Sequence, residues 1–90
     1  MLYVRKVRGE EQGPDVDRGS PVPLYRQLAD YVETCVTSGT WEPGRRLPAE
    51  RDLAEEWEVG YMTVRRTMRE LRERGIVVSV QGLGTFIRPS

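Results

Sequence analysis

The side chains best equipped for chemistry are arginines, and they cluster. From Val59 onward the cations are Arg65, Arg66, Arg69, Arg72, Arg74 and Arg88, opposed only by Glu70 and Glu73. A guanidinium is always charged, and its planar fork matches phosphate oxygens or the O6 and N7 edge of guanine. That is binding chemistry. Turnover chemistry has no starting material: the chain has no histidine and one cysteine, Cys35. No Cys/His cluster is present to hold zinc, and no intramolecular disulfide is available. There is no nucleophile–base pair. The glycines of Gln81-Gly82-Leu83-Gly84 fall between two β-prone runs, not between a strand and a helix, so they do not form a nucleotide loop. The expectation is a binding module, not an enzyme, with no catalytic residue, metal or cofactor.

The formal net charge is zero, whereas nucleic-acid-binding domains tend to be basic. Distribution matters more than the sum. The acids gather at Glu10–Asp17 and Asp52–Glu58, leaving the C-terminal third positive. A local positive face can hold a polyanion, because fields act within a Debye length of about 8–10 Å. No apolar run approaches the roughly 20 residues that cross a bilayer, and there is no signal-peptide core. The expected setting is the cytoplasm, without membrane contact.

The elements that must position these arginines are legible by period. Leu24, Leu28, Tyr31, Val32, Cys35 and Val36 recur at helical spacing and predict a helix from Pro23 to Ser38, with Pro23 at its start and Gly39 as its stop. Cys35 falls on the apolar face, so packing is its expected role. Trp41 reads as core or hinge packing within a turn, and Arg45-Arg46-Leu47 as a very short strand. A second helix over Ala49–Trp57 has Glu50 and Asp52 in its first turn, where acids suit the dipole. Glu58-Val59-Gly60 turns the chain into a third helix, Tyr61–Arg74. With Val64, Met68 and Leu71 inward, Met62, Arg66 and Arg69 point out; Tyr61, Arg65 and Arg72 share one flank, and Thr63 lies on the other. The bland reading of this face is solvated charge with Arg66–Glu70 and Arg69–Glu73 pairs. Arg65 has no such acid at i+4. Gly75 stops the helix, and Ile76–Val80, a turn at Gln81–Gly84 and Thr85–Arg88 predict a β-hairpin.

The predicted class is α+β, mainly α: a winged helix-turn-helix of three helices and a C-terminal two-stranded hairpin over residues 21–90. Residues 1–20 read as a flexible N-terminal segment, with Met1–Arg8 compatible with a strand and Gly9–Ser20 a polar linker. In this architecture the first turns of the third helix enter the major groove and the wing lies beside them. The candidate contacts are therefore Tyr61, Met62, Thr63, Arg65 and Arg66, with Gln81 and the Gly82 and Gly84 backbone on the wing.

Residues 23–88 resemble the DNA-binding domain of GntR-type transcriptional regulators. Four blocks carry the resemblance: PLYRQLADYV (Pro23–Val32), SGTWEPGRRLPAERDLAEE (Ser38–Glu56), TVRRTMRELRERG (Thr63–Gly75) and QGLGTFI (Gln81–Ile87). It implies a groove-edge or phosphate contact for Arg51, recognition-helix contacts for Thr63 and Arg65, and a wing contact for Gln81 and Gly82. The chain departs from the family's common pattern at several places. Gly60-Tyr61 replaces a Ser/Thr-Arg pair, Met62 a threonine, Leu83 a wing-tip basic residue, and Ala49 a capping serine, the last at about 1 kcal/mol.

The resemblance also implies an effector-binding, dimerising domain, and these 90 residues offer no small-molecule effector site. A piece of a longer regulator and a naturally minimal one both fit. The expected partner is a double-stranded DNA operator, bound by a transcriptional regulator acting as a repressor, with a homodimer that is weak off DNA. The alternative is a winged-helix protein-docking module without sequence-specific DNA binding.

Overall fold

The structure is a computed structural model that describes residues 13–89. Its elements are α1 (Leu24–Thr37), α2 (Glu50–Trp57), α3 (Tyr61–Glu73), β1 (Val77–Val80) and β2 (Gly84–Ile87). The strands pair antiparallel, with Val77 opposite Ile87 and Val80 opposite Gly84. The winged helix-turn-helix reading holds, and each predicted boundary falls within a residue or so of the observed one. Pro23 stands one place outside α1, as its N-cap. The possible strand at Met1–Arg8 lies outside the described residues.

Helical period decides which faces meet. Leu28, Ala29, Val32 and Cys35 of α1 are buried against Val64, Met68 and Leu71 of α3, with Leu53 and Trp57 of α2 closing the third side. Val77 and Ile87 attach the wing to the same core. Each large side chain buried in this way contributes about 1.5–3 kcal/mol. Trp41 and Trp57 stand edge-on to Tyr31, with ring centroids 5.9 and 6.4 Å away. Thr67 is the one fully buried polar side chain among the described residues. Its hydroxyl donates to the Thr63 carbonyl at 2.8 Å, and the Tyr25 carbonyl of α1 lies 3.5 Å away.

Two helix ends use the same reciprocal bonding. At the end of α3, the Gly75 amide donates to the Arg72 carbonyl and the Ile76 amide to the Leu71 carbonyl, with Gly75 at φ +75°. At the end of α2, Glu58 donates to Glu55 and Val59 to Ala54. These are Schellman closures, which turn on a left-handed residue. Gly75 fits the requirement. Glu58, at φ 56° and ψ 46°, does not, and is the sole non-glycine with positive φ among the described residues.

The segment before α2 is also ordered by pairing. Leu47 donates to the Thr85 carbonyl at 2.8 Å and Ile87 to the Arg45 carbonyl at 2.7 Å, so Arg46 bridges Phe86 antiparallel. The short strand expected at Arg45–Leu47 is this bridge. Residues 13–20, read from sequence as linker, are tied to the body. Asp17 and Gln27 exchange two hydrogen bonds, of 2.8 and 3.0 Å. Arg18 donates to the Glu58 carbonyl at 2.7 Å, and Val16 packs on the core.

Candidate nucleic-acid interface

The site begins at Gly60, which enters α3 in an extended conformation and offers no side-chain cap. Burial of Val64, Thr67, Met68 and Leu71 sets the phase of the helix. That phase leaves Tyr61, Met62, Arg65, Arg66, Arg69 and Arg72 exposed, while Thr63 is half-buried. Five of these residues, Met62, Arg65, Arg66, Arg69 and Arg72, line one shallow concavity together with Glu50 of α2. Four guanidiniums around one acid make a strongly positive surface on a chain of zero net charge.

The arginines differ in what already holds them. Arg65 reaches Glu50 at 3.9 Å, with its side chain 58% exposed. That contact is weak, since exposed ion pairs contribute about 0–1 kcal/mol. Arg66 lies over the Tyr25 ring of α1, 4.2 Å from the centroid. Arg51 lies over the Tyr61 ring at 5.3 Å, which joins the start of α2 to the start of α3. Arg72 donates to the Ser79 hydroxyl at 3.2 Å, linking α3 to β1. The Arg66–Glu70 pair of the bland reading is replaced: Glu70 receives Arg74 Nε at 2.9 Å.

Arg74 is structural. Its guanidinium also meets Asp30 at 2.9 Å and Glu33 at 2.8 Å, clamping α1 to the end of α3. Desolvation lowers its pKa, and the hydrogen bonds to Glu70, Asp30 and Glu33 outweigh that, so the net shift is upward. The sequence pattern counts Arg74 among the cations of α3 but carries no signal for this clamp, because Asp30 and Glu33 are some 40 residues away in the chain.

The wing tip carries Gln81, Gly82 and Leu83, all exposed. The Leu83 amide donates to the Val80 carbonyl at 3.0 Å, and Gly82 takes φ +81°. Arg46 adds a cation to this hairpin. Its Nε lies 3.1 Å from where a Cβ at Gly84 would stand, so glycine there lets the guanidinium pack on the strand. Arg46 and residues 79–85 line one groove. No local signal in the sequence points to Arg46, which sits nearly 40 residues before the wing and is brought there by the bridge to Phe86. Among the described residues no cluster of His, Cys, Asp or Glu could hold a metal, and no helix is long and apolar enough to cross a membrane.

Residues 24–87 match the profile described as "Bacterial regulatory proteins, gntR family". The chain belongs to the GntR family. The Histidine utilization repressor of Klebsiella aerogenes is 36% identical over 70 residues, covering 78% of this chain and 29% of the relative. The chain thus spans about three-tenths of the length of that curated relative. The solved structure of YtrA from Sulfolobus acidocaldarius, a GntR-family transcription factor, superposes with a TM-score of 0.80 at 29% identity, covering 87% of this chain and 82% of YtrA. The AraR DNA-binding domain in complex with operator ORX1 superposes with a TM-score of 0.72 at 28% identity, covering 82% and 95% respectively. The chain therefore shares the fold of these solved domains, with the arginine concavity and the wing on it.

Proposed function

We propose that this GntR-family chain binds double-stranded operator DNA sequence-specifically and regulates transcription, repressing by occluding a promoter in the cytoplasm. The observation that carries the reading is the concavity of four arginines beside the exposed first turn of α3, on a fold shared with a domain solved on its operator. In this reading α3 lies in the major groove and residues 81–84 lie beside it. Arg65, which among the described residues makes the long Glu50 contact, forks onto a guanine. Thr63, Tyr61 and Arg66 border it on the duplex, and Arg51 holds a phosphate. Gln81 and the Gly82 backbone meet the sugar-phosphate edge. Two copies pair on two half-sites and associate weakly without DNA.

Selection of bound sequences from random duplex DNA tests this directly. The expected result is an enriched motif with two-fold symmetry, bound with an affinity that falls steeply with salt. Absence of any enriched motif, with a flat salt response, would overturn the reading in favour of a protein-docking module.

A further inference from the structure

The most exposed large apolar side chain among the described residues is Met62, at 69% of its surface, in the first turn of α3. It borders two grooves. On one side is the arginine concavity with Glu50. On the other, Met62 and Thr63 of α3 face Pro23, Leu24 and Tyr25 at the start of α1. Arg66, which borders both, lies over the Tyr25 ring. The most exposed large apolar group of the first turn is thus an unbranched thioether with positive charge on its flank, and it is not a hydrogen-bond donor.

The chemistry of that pairing is restrictive. Flanking guanidiniums draw a polyanion close, and Met62 then meets whatever edge lies under it. A thioether offers only a weak acceptor. The guanine, cytosine and adenine edges in the major groove are donors and acceptors, which an apolar side chain would desolvate without replacement. The thymine edge alone carries an apolar group, its C5 methyl. We infer that Met62 is a specificity-determining residue that reads the C5 methyl of a thymine in each half-site. This rests on the DNA-binding reading above and adds to it the base class at one position.

The experiment uses the full chain and the duplex obtained by selection. Each thymine of that duplex is replaced in turn by deoxyuridine, which lacks only the methyl. One thymine per half-site should lose about fourfold in affinity, the worth of one buried methyl-sized group. Met62→Ala should bind the thymine and uracil duplexes equally, and Met62→Leu should retain the discrimination. Both variants alter an exposed side chain, so folding is preserved. If no thymine responds, or if Met62→Ala discriminates as well as the parent does, the inference is overturned while DNA binding stands. Failure to select any duplex overturns the DNA-binding reading itself.

Discussion

At the scale of single residues, the arginines of α3 are unequal because their surroundings differ. Among the described residues Arg65 reaches Glu50 by a long contact, whereas Arg74 is engaged by three carboxylates. Arg65→Ala is accordingly expected to lower specific affinity by about 1–3 kcal/mol and leave the melting temperature unchanged. Arg51→Ala should instead weaken binding to every duplex alike and flatten the salt slope by about one unit. Titrations against the selected and a scrambled duplex at several salt concentrations separate the two; equal behaviour of the variants would refute the division of roles. Leu83 is a second residue-scale case. It is 60% exposed at the wing tip, with no charge to offer a phosphate. Leu83→Arg should strengthen binding to all duplexes and steepen the salt slope by about one unit. An unaltered slope would mean that the wing stands clear of the backbone.

At the scale of elements, the turn between α2 and α3 sets the recognition helix in place, and it contains a conformational misfit. Glu58 adopts the left-handed conformation that its counterpart Gly75 adopts without a Cβ. Left-handed geometry costs a residue with a side chain roughly 1–2 kcal/mol, and an acid at the negative end of a helix dipole adds to it. The bond from Arg18 goes to the Glu58 backbone carbonyl, so it survives substitution. Glu58→Gly should raise stability by about 1 kcal/mol, net of glycine's greater freedom when unfolded. In a domain of this size that is roughly 4–8 °C in melting temperature. Thermal denaturation followed by circular dichroism checks it, and a fall in melting temperature would show that the Glu58 side chain contributes something the geometry does not reveal.

At the scale of the whole molecule, three helices and a wing share one small core, so a defect in any part is felt throughout. Leu71 and Met68 are almost completely buried where α1 and α3 meet. Leu71→Ala should cost roughly 2–5 kcal/mol, a large fraction of the 5–15 kcal/mol that holds a typical domain. Urea denaturation gives the value, and a loss below 1 kcal/mol would mean the contact between these helices is loose. Assembly belongs to this scale too. The free chain is expected to be monomeric or weakly dimeric at micromolar concentration, with copies pairing on DNA so that occupancy depends steeply on half-site spacing. Light scattering, with and without residues 1–20, measures it. A tight dimer that survives the truncation would place the interface on the winged-helix body.

Element order, the phase of α3 and the core are legible in the amino-acid sequence. These follow from local rules: apolar period 3.6 in Val64, Met68 and Leu71, proline at the start of α1, glycine at Gly75, and β-branched runs about a glycine turn. The exposed set on α3 was legible for the same reason, because fixing the buried face fixes the opposite one. Tertiary structure alone decided which of those exposed groups are already engaged. Arg66 meets Tyr25, Arg51 meets Tyr61, Arg74 meets Asp30 and Glu33, Arg46 joins the wing, and Arg18 reaches across to Glu58. Most of these partners lie far apart in the chain. Their pairing depends on how the helices cross and how the strands register, and no local period encodes either.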